Sequence, residues 1–251
     1  MDNSISITRI WIFKMRKLIS FTLYGSDPKY VNGMFRNIEL KEQFYPDWDI
    51  IIYHDDSLEQ NVIERLSKDA SLRNFTDSGI MAASWRFCAF DEPDVERFIV
   101  RDSDSRLSQR EADAVLDWEK SDKELHIMRD HPHHGYPILG GMWGLKNNVS
   151  TVSMKSAIIQ YQGGKKQHTT NRQNWSMTDM DFLRDCIYGP LTSEKTCKIH
   201  AAKDYMHKVG WHNEPWAEDF PTPRNKDKNF IGEIFSIVDG EEKRDYQYTE
   251  L

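Results

Sequence analysis

Apolar and polar positions alternate from Leu18 onward in a pattern that switches between strand and helix. Leu18 to Tyr24 is an apolar, β-rich run and predicts a strand. The next residues predict a helix that ends near Phe44, with Asp27 as its N-cap and Pro28 at its first position. The chain therefore opens with a strand–helix unit.

The same alternation continues for three further units. Apolar runs predict strands at Trp48 to Tyr53, Ser71 to Phe75 and Val95 to Val100, and helices at Leu58 to Leu66 and Met81 to Phe90. Ser108 to Glu111 has capping-box spacing and opens another helix. Repeated strand–helix units predict an α/β fold with a mainly parallel central sheet flanked by helices.

The regular alternation stops after Ile127, so we expect an irregular C-terminal part. Helices are predicted over Val149 to Tyr161 and Asp179 to Ile187, and a mobile loop over Gln162 to Asn174. No repeat or clean linker is visible. We therefore predict a single domain over residues 17–251, preceded by an extension over residues 1–16.

The amino-acid composition argues against several classes of protein. Of 251 residues, 39% are hydrophobic and 29% charged, as in soluble globular proteins. The net charge of -7 argues against a nucleic-acid partner. Three cysteines are too few for a disulfide framework, and no apolar run predicts a transmembrane segment. We expect a cytoplasmic protein, with residues 1–16 as the segment that would contact a membrane surface peripherally.

Polar residues follow three of the predicted strands. They are Tyr24-Gly25, His54-Asp55 and Asp102-Ser103-Asp104. Ligands of open α/β sheets bind at the carboxyl ends of the strands. The sequence therefore predicts one crevice lined by these three strand ends.

Asp102 and Asp104 would point the same way at the end of their strand. Two like charges repel unless a cation neutralises them, and a hard divalent ion, Mn²⁺ or Mg²⁺, suits carboxylate oxygens. An acidic turn is the simplest alternative. A haloacid-dehalogenase-like phosphohydrolase with Asp102 as nucleophile is another, although Ser105-Arg106 and the late position of the strand depart from that pattern.

Other residues have both a structural and a chemical interpretation. Arg86 would face solvent, pair with a carboxylate or neutralise a diphosphate. Gly140 and Gly141 permit close approach of a ligand, and Trp143 is either a wall for a sugar ring or a core residue. The histidines in the loop from His131 to His134 suit a polar substrate loop, a zinc site or plain surface.

Two further sites are candidates in the C-terminal part. Asp179 and Asp181 lie at a helix start, where acids favour the N-terminus, and either would serve as a general base. His200 is either an exposed histidine or a third metal ligand.

The ordered set of motifs resembles the GT-A glycosyltransferases, most closely a group found in bacterial polysaccharide pathways and large viruses. The resemblance covers the chain from about Lys17 to about Phe235. It rests on Thr22-Leu23-Tyr24-Gly25, Trp85-Arg86-Phe87, Arg101 to Arg106, Met128 to Pro132 and Gly140 to Gly144, and more weakly on Asp181-Phe182-Leu183 and Phe220 to Arg224.

The resemblance implies a role for each matched position. Asp102 and Asp104 would bind Mn²⁺ or Mg²⁺ with His200, and Asp181 or Asp179 would be catalytic. Asp179-Met180-Asp181 stands where an Asp-Gln pair is expected, which leaves the register of these two acids open. The residues implied in donor binding are Thr22, Tyr24, Gly25, Asp55, Arg86, Asp102, Ser103, Gly140, Gly141 and Trp143.

The resulting hypothesis is a metal-dependent glycosyltransferase of polysaccharide biosynthesis. It would move a sugar from a nucleotide-sugar donor, a UDP-sugar in first place, to a glycan or lipid-linked acceptor. The alternatives are the phosphohydrolase and a non-catalytic glycan-binding domain. The sugar, the acceptor and the stereochemistry at the anomeric carbon are left open by the sequence.

Overall fold

The structure is a computed structural model that describes residues 15–168, 178–203 and 214–245. The predicted extension over residues 1–16 falls almost entirely outside these ranges. The described strands are β1 (Arg16–Leu23), β2 (Asp49–His54), β3 (Ser71–Asn74), β4 (Val95–Val100), β5 (Leu125–Arg129), β6 (Trp143–Lys146), β7 (Cys197–Ala201), β8 (Phe235–Val238) and β9 (Glu241–Arg244).

Helices cover both faces of the sheet. They are α1 (Pro28–Phe44), α2 (Gln60–Leu66), α3 (Gln109–Lys120), α4 (Met154–His168), α5 (Thr178–Phe182) and α6 (Gly189–Leu191), together with a 3-10 helix over Ala82–Asp91 and a π-helical turn over Leu183–Tyr188.

Seven strands form the central sheet in the order β3-β2-β1-β4-β6-β5-β7. Every neighbouring pair is parallel except the pairs of β6, which runs antiparallel to both β4 and β5. This confirms the prediction of an α/β fold with a mainly parallel central sheet. Strands β8 and β9 form a separate antiparallel hairpin.

The first helices begin where their capping residues predict. The Asp27 carboxylate accepts a hydrogen bond from the Lys29 backbone N at 2.9 Å, and Pro28 opens α1. At α3, the Ser108 hydroxyl accepts from the Glu111 backbone N at 3.4 Å. These bonds satisfy helix donors that have no partner inside the helix.

Several sequence predictions after β3 need correction. The helix predicted over Met81 to Phe90 is present over Ala82–Asp91, and it is of the 3-10 type. Strands β5, β6 and β7 were not predicted, because no regular strand–helix alternation marks this part of the sequence. The predicted loop over Gln162 to Asn174 begins inside α4, and its remainder after His168 lies outside the described residues.

Two apolar layers cover the sheet, because alternate residues of each strand face opposite sides. On one side Ile19, Phe21 and Leu23 of β1 pack with α1 and α3. On the other side Leu18 and Phe98 pack with the 3-10 helix, α4 and α5. The sheet is therefore buried on both faces, which fixes the positions of its strand ends.

The segment before the hairpin lies against the carboxyl end of β4. The Phe235 backbone N donates to the Asp104 backbone O at 2.9 Å. Asp130 at the end of β5 accepts hydrogen bonds from Arg110, Arg224 and the Ile231 backbone N, and its side chain is fully buried. These contacts fasten the C-terminal segment to the sheet. None of the described helices has the length and apolar character needed to cross a membrane.

Candidate active site

A cleft of about 560 Å³ lies where β1 and β4 end. The order of the sheet reverses between these two strands, since the chain passes from β1 to β2 on one side and from β4 toward β6 on the other. Such a switch point opens a crevice at the carboxyl ends of the strands. The residues that line it are Thr22, Leu23, Tyr24, Gly25, Ser26, Asp27, Tyr30, Ala83, Arg86, Asp102, Ser103, Asp104, Gly232 and Ile234.

The structure thus brings together seven of the residues predicted to bind the donor or the metal. Thr22, Tyr24 and Gly25 come from the end of β1, and Asp102, Ser103 and Asp104 follow β4. Arg86 reaches the same cleft from the 3-10 helix.

Arg86 is held by polar groups of β1 that are buried beneath it. The Ser20 hydroxyl donates to the Arg86 backbone O at 2.6 Å, and the Arg86 backbone N donates to the Thr22 hydroxyl at 3.2 Å. Its guanidinium pairs with Asp102 and also donates to the Arg101 backbone O at 3.3 Å. Burial lowers the pKa of Arg86, but the charges of Asp102 and Asp179 outweigh it and hold the pKa above its ordinary value.

Each carboxylate of the Asp102–Asp104 pair has its own cation. Asp102, whose side chain is 41% exposed, pairs with Arg86. Asp104 is buried and pairs with Lys29, whose Nζ lies 2.9 Å from the Asp104 Oδ2. Burial, together with the charge of Asp102, raises the pKa of Asp104, and Lys29 only partly opposes the shift. The repulsion that the sequence predicted is balanced by a cation from each flanking helix.

One face of α1 packs against the loop that carries these carboxylates and forms hydrogen bonds with it. Lys29, Gly33 and Asn37 are four residues apart and share a helix face. A side chain at Gly33 would collide with the Ser103 backbone O, so only glycine lets the helix approach this closely. The Asn37 amide donates to the Ser105 backbone O at 2.9 Å and accepts from the Leu107 backbone N at 3.0 Å.

Aromatic side chains line the rim of the cleft. Tyr24 is 51% exposed and meets Trp85 edge-on at 5.9 Å between ring centroids, and Tyr30 is 38% exposed. Exposed aromatic rings of this kind offer flat apolar faces for a base or a sugar ring.

Asp55 lies beside the cleft rather than in it. It borders a neighbouring depression of about 380 Å³ with Thr76 and Trp85. Ser57 links Asp55 to the end of β1: its backbone N donates to Asp55 at 3.0 Å, and its hydroxyl accepts from the Gly25 backbone N at 2.6 Å. Asp55 therefore stays within reach of the strand end that holds Gly25.

Side chains of the site lie where Gly140 and Gly141 would carry a Cβ atom. A Cβ at Gly141 would collide with the Asp102 carboxylate, and one at Gly140 would lie 2.7 Å from Arg86 Nη2 and 3.1 Å from Asp179 Oδ2. Neither glycine lines the cleft. In this structure the space beside them is occupied by Asp102 and Arg86, and their contact with a ligand stays a prediction.

Asp179 and Asp181 have different surroundings. Asp179 is buried against Arg86 and Gly140, and burial raises its pKa against the opposing charge of Arg86. Asp181 accepts from the Tyr136 hydroxyl at 3.2 Å and pairs with Arg184 at 2.9 Å. Asp179 is the acid that lies next to the cleft residues.

Trp143 is a core residue and does not form a wall of the cleft. It is fully buried on β6, and its ring meets Phe87 at 5.5 Å and Phe98 at 5.4 Å, edge-on in both cases. The prediction of a stacking surface for a sugar ring is therefore corrected.

His200 does not join the carboxylate pair. It lies on β7, three strand positions from β4, or about 14 Å across the sheet. Its ring nitrogens meet His126 at 2.9 Å and Asp117 at 3.2 Å. Within the described part of the chain, no group of three or more His, Cys, Asp or Glu side chains is arranged to hold a metal ion. The predicted ligand set of Asp102, Asp104 and His200 is therefore not assembled.

The histidine loop carries no metal site either among the described residues. The rings of His131 and His133 stack at 5.1 Å, and His131 also packs on Phe230 at 4.3 Å. Burial and the neighbouring histidines lower the pKa of His134 to about 3. The loop packs against the C-terminal segment.

Sequence reasoning missed Lys29, Asn37 and Tyr30. A cation in the first turn of a helix opposes the helix dipole, so Lys29 was a visible signal of a nearby anion. Asn37 in the middle of an amphipathic helix was a second signal, because a buried amide needs partners.

The chain was compared with known proteins. No protein-family model matches it, and no curated protein sequence is significantly similar to it. Solved structures resemble it at the level of the fold. A glycosyltransferase involved in glycosylation of the major capsid of PBCV-1 is 13% identical, with 74% of this chain and 81% of that chain covered and a TM-score of 0.44.

Two other structures show the range of the similarity. A mannosyltransferase from Pyrobaculum calidifontis, in complex with GDP-Man and Mn²⁺, is 13% identical, with 61% of this chain and 54% of that chain covered and a TM-score of 0.40. A 4-diphosphocytidyl-2C-methyl-D-erythritol synthase from Anaerococcus prevotii is 12% identical, with 75% and 89% covered and a TM-score of 0.39. This chain spans about half the length of the mannosyltransferase.

Proposed function

We propose that this protein is a glycosyltransferase that takes its sugar from a nucleotide-sugar donor. The observation that carries the proposal is the cleft at the switch point between β1 and β4, where Arg86, Asp102 and Asp104 meet exposed aromatic rings. A nucleotide sugar combines the chemistry that this lining suits. Its base and sugar rings can stack on the exposed aromatic rings, and its diphosphate can bind the Arg86 guanidinium.

Donor binding is assigned to the two strand ends. Tyr24 and Gly25, with Asp55 beside them, are proposed to contact the nucleoside, and Arg86 the diphosphate. Guanidinium groups bind phosphate oxygens through paired donors, and a positive charge fixed near the leaving group stabilises the charge that develops as the glycosyl–phosphate bond breaks. Thr22 acts through Arg86, since it anchors the backbone of that residue.

Asp102 and Asp104 are the residues that would hold a divalent cation. Two carboxylates one residue apart in a single cleft fit Mn²⁺ or Mg²⁺, which bind few protein carboxylates and take their other ligands from water and substrate phosphates. When bound, such an ion supplies Lewis-acid stabilisation to the leaving diphosphate. The cation preference and the donor's base are part of this proposal, with a UDP-sugar as the first donor to test.

Asp179 is proposed as the acidic residue nearest the transfer step. Burial raises its pKa, which makes it a better proton acceptor than an exposed carboxylate. In a reaction that inverts the anomeric carbon, Asp179 would accept the proton of the acceptor hydroxyl. In a retaining reaction, it would orient Arg86. The acceptor proposed is a glycan or a lipid-linked sugar, and polysaccharide biosynthesis is the corresponding process.

A panel of UDP-, GDP-, TDP- and CMP-sugars tests the proposal. We expect at least one to raise the melting temperature and to be hydrolysed slowly in the presence of Mn²⁺, with chelator removing the effect. Asp104→Asn should lose this response while it unfolds at nearly the same temperature as the unsubstituted protein. Asp122→Asn is the matched control, because Asp122 is a highly exposed surface acid with a 3.4 Å pair to Lys123.

The proposal fails if none of the four donor classes binds or is hydrolysed. Glycan binding that needs neither a metal nor Asp104 would instead support a non-catalytic binding domain. Trapping of Asp102 by beryllium fluoride, with phosphate released from phosphomonoesters, would support the phosphohydrolase.

A further inference from the structure

Lys29 is placed where helix energetics alone would not put it. It occupies the first turn of α1, in which the backbone N–H groups already form the positive end of the helix dipole. The described first turn itself contains no acidic residue, and the N-cap Asp27 accepts from the Lys29 backbone N. The Lys29 ammonium pairs with Asp104, whose Oδ2 lies 2.9 Å away.

The ammonium lies beside the cleft, against two of the residues that line it. Lys29 Nζ lies 5.1 Å from the centroid of the Tyr30 ring, and both Tyr30 and Asp104 line the cleft. The side chains of Lys29 and Asp104 are 23% and 12% exposed, so the pair is shielded and still reachable from solvent. A lysine ammonium is a compact point charge on a flexible stem. It neutralises the carboxylate that a divalent cation would bind.

We propose that Lys29 is a built-in counter-ion of Asp104 that competes with the divalent cation and so sets the affinity of the cleft for the metal. This inference rests on the proposed function, because it takes Asp104 as a metal ligand. Asp102 has its own partner in Arg86, so Lys29 is the cation that governs the buried carboxylate.

The expected change in Mn²⁺ affinity follows from the repulsion between the two cations. A charge of +1 and a charge of +2 held about 5 Å apart in a water-like dielectric repel by an amount that corresponds to on the order of tenfold in Kd. We therefore expect Lys29→Gln to bind Mn²⁺ about tenfold more tightly than the unsubstituted protein. Lys29→Arg keeps the positive charge and should bind Mn²⁺ with nearly the original affinity.

The experiment is a titration of the whole protein with Mn²⁺ alone, in which electron paramagnetic resonance measures the free ion. Lys41→Gln is the matched control, since Lys41 lies on the same helix, pairs with Glu42 at 2.9 Å and does not line the cleft. Thermal unfolding of each variant in chelator separates a loss of folding from a change in affinity. A merely structural role for Lys29 would lower stability without tightening Mn²⁺ binding.

The outcomes separate this inference from the proposed function. Tighter Mn²⁺ binding by Lys29→Gln, with binding lost in Asp104→Asn, supports the inference. Equal or weaker binding by Lys29→Gln, with binding still lost in Asp104→Asn, overturns the inference and leaves the proposed function in place. If Asp104→Asn binds Mn²⁺ as well as the unsubstituted protein, the inference is overturned together with the metal site, and the nucleotide-sugar panel then decides the proposed function independently.

Discussion

Replacement of His200 tests whether this residue is a buried neutral histidine or a metal ligand. The side chain is fully buried on β7, between His126 and Asp117. Burial, with the charge of Lys198, lowers the pKa of His200 to about 4, and Asp117 opposes the shift only in part. In the unfolded chain the pKa returns to about 6.5. The unfolded chain therefore binds a proton at His200 before the folded protein does.

The two pKa values of His200 determine how the free energy of unfolding changes with pH. As pH falls below 6.5 the unfolded state gains protons first, so the free energy of unfolding decreases, and the loss ends near pH 4 where the folded protein also takes up the proton. Between pH 7 and pH 5, a histidine with these two pKa values removes roughly 2 kcal/mol of stability. His200→Gln should lose that much less than the unsubstituted protein over the same interval.

Urea denaturation at pH 7, 6 and 5 measures the effect, because comparing slopes cancels any constant loss caused by the substitution. Ile199→Val on the same strand is the control, since it lowers stability by about 1 kcal/mol without removing a titratable group. Parallel pH profiles for His200→Gln and the unsubstituted protein would refute the depressed pKa. Mn²⁺ stabilisation that disappears in His200→Gln would restore the metal-ligand role that the sequence suggested.

Two further substitutions test the loop that carries the carboxylates. Asn37→Ala should lower the free energy of unfolding by about 1–3 kcal/mol, because it removes a hydrogen bond to the Ser105 carbonyl and leaves the buried Leu107 N–H without its partner; urea denaturation showing a loss below about 0.5 kcal/mol would contradict this. Gly141→Ala should cost about 1–3 kcal/mol and weaken nucleotide-sugar binding, since its Cβ displaces Asp102. Gly163→Ala, in open space on α4, should raise stability by about 0.5–1 kcal/mol in the same assay, and equal effects of the two glycine substitutions would show that the Asp102 contact is unimportant.

The N-terminal half of the fold could be predicted because its signals are local. Asp27 and Pro28 define the start of α1, and the apolar run that begins at Val95 has the length of β4. The later strands could not be predicted in this way. β6 has four residues and runs back between β4 and β5, so its pairing depends on contacts far apart in sequence, such as Ile99 with Gly144.

The same distinction between local and long-range signals applies to the site residues. Residues at the ends of β1 and β4 could be predicted, because parallel strands bring their carboxyl ends to one edge. The position of His200 was predicted wrongly because it depends on β7, which is the strand at the far edge of the sheet. Trp143 was ambiguous because tryptophan suits a core and a ligand wall equally, and only its pairing on β6 decides between them.

The two carboxylates at the end of β4 are each paired with a cation of the chain itself. Asp102 and Asp104 lie on one side of a strand end, where like charges repel. Arg86 from the 3-10 helix and Lys29 from α1 each neutralise one of them. The preceding Arg101 faces the opposite side and forms a fully buried pair with Glu111 at 3.0 Å. Every charge at the end of β4 therefore has a partner within the chain. A ligand that binds here exchanges one set of ionic partners for another, so the affinity of the cleft depends on Lys29 and Arg86 as well as on the two acids.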